Sequence, residues 1–239
     1  MDLHQAVIAI TGASRGIGRE TALAFARAGA HIVGGARDLA ALAEVQQAAR
    51  AAGAPGALMI PLDVRQSAEC QSFIDRAVST FGQLDVLVNN AGLGYYGPLA
   101  ETSDEEWQAT IRTNLDGVFY CTRAALKYML ERSSGHIFML SSGLGRQARA
   151  NQATYSASKF AIQGLADALR QEVQPRGIRV IIIAPGMVDT NFRATHINRP
   201  NIPPTDQMLT PRDVAEAIVW ATQASPTALP TEIDLSPGR

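Results

Sequence analysis

Residues 11–18 read Thr11-Gly12-Ala13-Ser14-Arg15-Gly16-Ile17-Gly18, and they follow the short apolar run Val7–Ile10. Glycines at three of these positions permit a tight turn and a close approach of the backbone to a ligand. The helix predicted to follow, Ile17–Ala28, begins with free N–H groups and the positive end of its dipole, a combination that binds phosphate groups. The stretch therefore predicts a phosphate-binding turn between a first strand and a first helix.

Short apolar runs and longer Ala-rich helical patterns alternate along the whole chain. Runs such as VIAI and VIII are apolar on both faces, which is typical of strands in a parallel sheet. We therefore predict one doubly wound, Rossmann-type α/β domain over residues 1–239, with about seven strands and helices on both faces of the sheet. The predicted strands are Val7–Ile10, His31–Gly34, Ala57–Ile60, Asp85–Val88, His136–Leu140, Ile178–Ile183 and Glu232–Leu235. The predicted helices are Ile17–Ala28, Leu39–Ala52, Ser67–Phe81, two between Asp104 and Glu131, Thr154–Gln174 and Pro211–Ala224.

Composition excludes several classes of protein. The 239 residues are 46% hydrophobic and 18% charged, with a net charge of −1, so the chain can bury a core and offers no block of charge for nucleic acid or an anionic membrane. No apolar run reaches the roughly 18 residues of a membrane span, and the N-terminus lacks the features of a secretory signal. We expect a cytoplasmic protein with Cys70 and Cys121 as free thiols. The histidines show no ligand spacing, so we expect no metal site.

Tyr155 and Lys159 stand four residues apart at the start of a predicted helix. Side chains at this spacing share one helix face, and a nearby ammonium lowers the pKa of a tyrosine from its reference value of about 10. Such a tyrosine suits general acid–base work, although a surface Tyr–Lys pair is common. Ser141 and Ser142 follow a predicted strand at the edge where ligands bind in these folds. Spacing alone leaves the choice between the two serines open.

Several motifs together resemble the short-chain dehydrogenase/reductase family. The spacing T-G-x-x-x-G-x-G of residues 11–18 differs from the usual dinucleotide fingerprint, G-x-G-x-x-G, and resembles the turn of this family. N-N-A-G at 89–92, T-N-L around Asn114, Y-S-A-S-K at 155–159 and P-G-x-V-x-T at 185–190 also resemble family motifs, in the same order. One such motif occurs by chance, but the ordered set does not.

The resemblance implies a nicotinamide-dependent oxidoreductase that interconverts a carbonyl group and an alcohol. It implies that the catalytic serine precedes Tyr155 by about a dozen residues, which favours Ser142 and leaves Ser141 as a structural hydroxyl. Tyr155 is then the general acid–base, and Lys159 tunes it and holds the nicotinamide ribose. Asn114 resembles an asparagine that is linked to this lysine through water.

The resemblance and the glycine turn also assign the cofactor contacts. Asp63 and Val64 resemble the residues that contact the adenine ring, and Val188 and Thr190 resemble those that receive the nicotinamide carboxamide. The complete set of expected cofactor residues is Gly12, Ser14, Arg15, Gly16, Ile17, Gly18, Arg37, Asp63, Val64, Asn90, Ala91, Gly92, Tyr155, Lys159, Pro185, Gly186, Val188 and Thr190.

The end of the second predicted strand indicates which nicotinamide cofactor is bound. An NAD site usually carries an acidic residue there, bonded to the ribose hydroxyls. Ala36 stands at that position, Arg37 follows it, and Arg15 lies within the glycine turn. Guanidinium groups bind phosphate well, so we predict NADP(H) in preference to NAD(H). The missing acid is the stronger half of this inference, because arginine also follows the acid in NAD-binding relatives.

Two segments are candidates for substrate contact. Residues 187–209 hold three prolines and little periodicity, which is typical of a functional loop, and Tyr95–Leu99 is a second candidate wall. Arg146, Arg149 and Arg193 could meet an anionic substrate, although exposed arginines usually face solvent. The substrate is left open among small aldehydes, ketones and 3-oxo compounds. The resemblance further implies a homodimer or homotetramer that pairs the Tyr155 helix and the long helix before it.

Two other functions compete with that of a carbonyl reductase. The first is a non-catalytic NADP(H) sensor or scaffold, since a fold alone does not establish activity; the intact Asn114, Ser142, Tyr155 and Lys159 set argues against it. The second is a serine hydrolase. Ser142 lacks the G-x-S-x-G elbow, because Leu140 stands where its first glycine belongs, and no histidine is an evident partner. The direction of the redox reaction is left open.

Overall fold

The computed structural model describes residues 1–190, 192, 205–225 and 227–238. Its strands are β1 (Val7–Thr11), β2 (His31–Ala36), β3 (Ala57–Pro61), β4 (Val86–Asn89), β5 (Gly135–Leu140), β6 (Ile178–Pro185) and β7 (Glu232–Leu235). Its helices are α1 (Gly16–Arg27), α2 (Leu39–Ala51), α3 (Ser67–Phe81), α4 (Asp104–Ile111), α5 (Gly117–Arg132), α6 (Ala153–Val173) and α7 (Pro211–Gln223). These bounds confirm the predicted doubly wound α/β fold.

The sheet is parallel throughout, in the order β3-β2-β1-β4-β5-β6-β7. Strand order reverses beside β1, which has β2 on one side and β4 on the other. In open α/β sheets a crevice forms outside the carboxyl ends of the strands at such a point. The topology therefore brings the glycine turn after β1 beside the N-N-A-G motif that follows β4.

Hydrophobic residues cover both faces of the sheet. In β1, Val7 and Ala9 join a core cluster with Phe73 and Met129, on the face covered by α3, α5 and α6. Ile8 and Ile10 join the opposite cluster, covered by α1, α2 and α7. Successive side chains of a strand point to opposite faces, which explains why a strand buried between two helical layers is apolar at every position.

Capping side chains fix several helix starts. Thr210 caps α7, where its hydroxyl accepts from the Asp213 N–H at 3.2 Å and the Asp213 carboxylate accepts from the Thr210 N–H at 2.7 Å. Ser103 and Glu106 form the same reciprocal pair at α4. Between α4 and α5 lies a π-helical turn, Arg112–Asp116. Such turns frequently mark functional positions, and this one contains Asn114.

Cys70 and Cys121 are free and fully buried, on α3 and α5. A hydrogen bond with the Cys70 thiol, together with burial, raises the pKa of Cys121. The two thiols are therefore neighbours in space although 50 residues separate them in sequence. No helix among the described residues is long and apolar enough to cross a membrane. In the same residues, no three Cys, His, Asp or Glu side chains are grouped as metal ligands.

His136 on β5 predicts a pH dependence of stability. It is 6% exposed, and neither ring nitrogen has a hydrogen-bond partner among the described residues. Burial lowers its pKa from 6.5 to about 4; Arg179 and the N-terminal ammonium add to this shift, and Asp85 opposes it. Below pH 6.5 the unfolded chain binds a proton that the folded chain does not, so stability falls as the pH drops from 6.5 to 4, by about 3 kcal/mol in total.

The variant His136→Phe keeps a buried ring of similar size and removes this titration. Between pH 6.5 and 4 we expect the unfolding free energy to change less steeply with pH in the variant. The difference in slope corresponds to about one bound proton. Urea unfolding at a series of pH values measures it. Equal slopes for the variant and the wild type would contradict the assignment to His136.

Candidate active site

A cavity of about 920 Å³ runs along the carboxyl ends of the strands. It extends from the residues after β2 and β3 to those after β5 and β6. Gly18 and Asn114 do not line it. The other predicted site residues do: Gly12, Ser14, Arg15, Gly16, Ile17, Arg37, Asp63, Val64, Asn90, Ala91, Gly92, Ser142, Tyr155, Lys159, Pro185, Gly186, Val188 and Thr190.

The glycine turn forms a cradle at the start of α1. Gly12 and Gly16 have φ angles of 67° and 55°, in the left-handed region that favours glycine. A Cβ on Gly18 would lie 2.3 Å from the Gly12 carbonyl oxygen, so Gly18 acts by letting the helix start pack against the turn. No side chain caps α1 at its N-cap residue, Arg15. The free N–H groups and the open cradle fit a pyrophosphate.

Asn90 braces this turn from the neighbouring strand. Its side-chain Nδ2 donates to the carbonyls of Thr11 at 2.9 Å and Gly12 at 3.1 Å. The Thr11 hydroxyl accepts from the backbone N–H groups of Asn90 and Ala91, both at 3.0 Å. Asn90 therefore lines the cavity, but its amide nitrogen is occupied by the turn, and any effect on a cofactor is indirect. Thr11 begins the glycine motif, but its role could not be predicted from the sequence, because only the fold shows that it bridges β1 and β4.

The predicted adenine end of the cavity contains an ion pair that the sequence did not indicate. Arg65 donates through Nε to both carboxylate oxygens of Asp63, at 2.9 and 3.0 Å, and its backbone N–H also binds Asp63. The hydrogen bonds from Arg65 lower the pKa of Asp63, and the charge of Arg37 adds a small contribution. Arg65 itself lines the cavity. Asp63 is therefore held in one orientation as a carboxylate.

The end of β2 carries no acid at the position where an NAD site has one. Ala36 is 8% exposed there, and Arg37 and Arg15 are exposed at the same end of the cavity. Asp38 also lines the cavity, but its carboxylate caps α2 by accepting from the Ala41 N–H at 3.0 Å. Two guanidinium groups beside a small apolar residue fit a 2′-phosphate.

Tyr155 and Lys159 are both buried in the first turns of α6, at 7% and 5% exposure. The Lys159 Nζ lies 5.6 Å from the Tyr155 ring centroid and donates to the Leu140 carbonyl at 2.6 Å. Burial lowers the pKa of Lys159 to about 8, so the ammonium form still predominates at neutral pH. The Tyr155 ring contacts Tyr96 and Phe192, with centroids 5.6 and 6.0 Å apart.

The two serines after β5 differ in what they contact. Ser141 is buried, and its hydroxyl donates to the Lys159 carbonyl at 3.3 Å. Ser142 is half-buried, and its oxygen accepts from the Leu144 N–H at 3.2 Å. Because Ser142 accepts there, its own hydroxyl proton is left for a group in the cavity. The choice of Ser142 as the catalytic serine stays a prediction.

Asn114 links the loop after β4 to the helix that carries Tyr155. Its Oδ1 accepts from the Leu93 N–H at 2.9 Å, and its Nδ2 donates to the Leu93 carbonyl at 2.8 Å and to the Ser158 hydroxyl at 3.0 Å. Ser158 donates in turn to the Tyr155 carbonyl at 2.7 Å. Asn114 therefore lies behind the site. Ser158 was missed because a helix serine alone gives no functional signal.

The segment after β6 folds back over the glycine turn. Val188 pairs with Leu209 in a short parallel bridge. The Thr190 side chain lies 3.2 Å from where a Cβ on Gly16 would be. Both ends of the predicted loop 187–209 are thus placed at the cavity. The loop positions Arg193, His196, Ile197, Pro200, Pro203 and Pro204 lie outside the described residues.

Two of the three arginines proposed for substrate contact are described, and they differ. Arg146 binds Glu232 and Asp234 of β7, each at 2.5 Å, and does not line the cavity. Arg149 lines the cavity. Tyr95 and Tyr96 line it as well, as expected for the second candidate wall, but Leu99 does not.

Residues 6–200 match the family model for short chain dehydrogenases. The chain therefore belongs to the short-chain dehydrogenase/reductase family of oxidoreductases, as its motifs indicated.

Individual relatives cover between 78% and 99% of the chain. It is 34% identical over 241 residues to an uncharacterized oxidoreductase of Staphylococcus saprophyticus, covering 99% of both chains. It is 37% identical over 186 residues to a 3-oxoacyl-[acyl-carrier-protein] reductase of Synechocystis, covering 78% of this chain and 75% of that one. A glycine betaine reductase of Emericella nidulans is much longer, and the chain spans 18% of it.

A solved structure gives the same result for the fold. The alcohol dehydrogenase from the archaeon Thermococcus sibiricus, complexed with 5-hydroxy-NADP, superimposes with a TM-score of 0.88 at 29% sequence identity. The match covers 98% of this chain and 97% of that one.

Proposed function

We propose that this protein is an NADP(H)-dependent oxidoreductase that interconverts a carbonyl group and an alcohol, with Tyr155 as the general acid–base. The observation that carries the proposal is the buried Tyr155–Lys159 pair at one end of a cavity whose other end holds Arg15 and Arg37. Family membership supports the oxidoreductase class. The NADP analogue in the Thermococcus enzyme and the carbonyl chemistry named for the Synechocystis relative support the cofactor and reaction type.

The cofactor residues fall into groups along the cavity. The turn from Gly12 to Gly18 would hold the pyrophosphate, with Arg15 and Arg37 on the 2′-phosphate. Asp63 and Val64 would hold the adenine. At the other end, Lys159 would hold the nicotinamide ribose. The carboxamide would be held by the segment Pro185–Thr190, through Val188 and Thr190. When bound, the nicotinamide supplies or accepts the hydride.

The protein's own residues control position and the proton. The Ser142 hydroxyl, whose oxygen accepts from Leu144, donates to the substrate oxygen. The Tyr155 hydroxyl donates to the same oxygen and transfers its proton as the alcohol forms. The Lys159 ammonium stabilises the phenolate that is left on Tyr155. In alcohol oxidation the same phenolate removes the proton.

Burial of this end of the cavity strengthens these interactions. Charges act over longer distances where water is excluded, and Tyr155 and Lys159 are nearly inaccessible to solvent. Asn114 and Ser158 hold the backbone at Tyr155 in place. Ser141 does the same at Lys159. These contacts support a proton donor that is held in position before a substrate binds.

Binding of NADPH and NADH, followed by a panel of aldehydes, ketones and 3-oxo compounds, tests this function. We expect tighter binding of NADPH and turnover of at least one carbonyl class. Tight NADPH binding with no turnover on any of these classes would favour a cofactor sensor. Binding of neither cofactor would contradict both the oxidoreductase and the cofactor sensor.

We also propose a homodimer or homotetramer that pairs α5 and α6. Each helix exposes one large aromatic side chain, Phe119 at 43% and Phe160 at 44%. Light scattering at micromolar concentration should give a mass of two or four chains. The variant Phe160→Glu should shift it towards smaller species, because a charge is costly to bury in an interface. A monomer mass for the wild type would contradict the proposal.

A further inference from the structure

The charged residues that line the cavity are distributed unevenly between its two ends. The cofactor end carries both signs of charge: the carboxylates of Asp38 and Asp63 lie there with the guanidinium groups of Arg15, Arg37 and Arg65. At the end that holds Tyr155, the charged residues of the described lining are Lys159 and Arg149, and this lining contains no carboxylate. The described substrate end is therefore positively charged.

Arg149 is the cation available to a substrate there. The Lys159 ammonium is buried and donates to the Leu140 carbonyl. Arg149 is exposed on the cavity wall and makes no hydrogen bond or ion pair within the described part of the chain. Arg146, three residues earlier, is held by two carboxylates of β7. The two arginines are thus close in sequence, but Arg146 is ion-paired away from the cavity and Arg149 lines it.

The loop that carries Arg149 is fixed at both ends beside the reacting groups. The Gln147 N–H donates to the Gly143 carbonyl at 3.1 Å, in the turn that follows Ser142. The Asn151 carbonyl accepts from the Gly97 N–H at 2.9 Å, next to the tyrosine that contacts the Tyr155 ring. Arg149 therefore lies between the Ser142 turn and the Tyr95–Gly97 loop.

We infer that the substrate carries an anionic oxygen group, a carboxylate or a phosphate, in addition to its carbonyl, and that Arg149 binds this group. The inference rests on the proposed function, because it assigns the carbonyl to Tyr155. A planar guanidinium matches the geometry of carboxylate and phosphate oxygens. The aromatic and apolar wall formed by Tyr95, Tyr96, Leu144 and Phe192 would contact the carbon skeleton between the two groups.

Two aldehydes of nearly equal size separate charge from shape: 4-formylbenzoate and methyl 4-formylbenzoate. We expect wild-type kcat/KM to be about tenfold higher for the carboxylate, the effect of one charged hydrogen-bonding pair. Arg149→Gln should remove this ratio by raising KM for the carboxylate alone. Arg146→Gln is the matched control. It removes the same charge from a side chain three residues earlier that does not line the cavity, so the ratio should be kept.

Equal use of both aldehydes by the wild type, or an unchanged ratio in Arg149→Gln, would overturn the inference and leave the proposed function standing. Turnover of neither aldehyde would leave the proposed function to the wider carbonyl panel, and the inference would then be decided by binding. Calorimetric binding of the two aldehydes to NADP⁺-loaded Tyr155→Phe, with and without Arg149→Gln, then decides the charge preference without turnover. Loss of carboxylate binding on removing Arg149 supports the inference, and equal binding contradicts it.

Discussion

Tyr155→Phe should lower kcat by about 10²–10⁴-fold while NADPH binding changes only a few-fold. That range is the contribution of a positioned general acid–base. The substitution removes one hydroxyl group and keeps the ring, so the contacts with Tyr96 and Phe192 remain. Steady-state consumption of NADPH with the best carbonyl of the panel gives kcat, and a fluorescence titration gives the Kd for NADPH.

Tyr128→Phe is the matched control for the loss of a hydroxyl. The Tyr128 hydroxyl, on α5, donates to Asp75 of α3 at 2.7 Å, and Tyr128 does not line the cavity. We expect wild-type kcat in this variant. Undiminished turnover in Tyr155→Phe would refute the mechanism, and an equal loss in both variants would indicate damage to the fold.

Ala36→Asp should reverse the cofactor preference, lowering the NADPH/NADH ratio of kcat/KM by about 10²-fold. A carboxylate at the end of β2 would repel the 2′-phosphate, by several kcal/mol at contact distance in a partly solvated site. The same carboxylate can accept hydrogen bonds from the ribose hydroxyls of NADH. Kinetics with both cofactors at a fixed carbonyl concentration measure the ratio.

Ala36→Asn separates charge from size in this prediction. The amide has nearly the volume of the carboxylate and no charge, so we expect it to keep most of the preference for NADPH. If Ala36→Asp used NADPH as well as the wild type does, the proposed cofactor preference would be wrong. If Asn and Asp had the same effect, crowding at the end of β2 would be the cause.

Local sequence patterns predicted the fold because each strand and helix carries its own signal. Ile178–Ile183 was predicted as a strand and β6 is two residues longer, while Ser67–Phe81 matches α3 at both ends. The apolar periodicity of these segments depends only on which faces are buried. The π-helical turn around Asn114 was not predicted, because one shifted hydrogen bond leaves the hydrophobic pattern of a helix almost unchanged.

Contacts between distant residues explain most of what the sequence did not predict at the site. Asn114 and Ser158 are 44 residues apart, and their hydrogen bond exists only once α6 packs against the π-helical turn. The sequence could not separate Arg146 from Arg149 for a similar reason. The carboxylates that hold Arg146 come from β7, more than 80 residues later. Motif spacing predicted Tyr155 and Lys159 as site residues, but it did not predict the hydrogen bonds that hold their backbone in place.

The bridge between Val188 and Leu209 affects how readily the length of the segment between them could change during evolution. Its hydrogen bonds, from Asp189 N–H to the Leu209 carbonyl at 2.8 Å and from Leu209 N–H to the Met187 carbonyl at 2.9 Å, join the two ends of the segment beside β6. Doubling the length of a closed loop costs only about 0.6 kcal/mol. Changes of chain length between these two ends would therefore cost the fold little, and under the proposed function they could alter the substrate without displacing Tyr155 or Lys159.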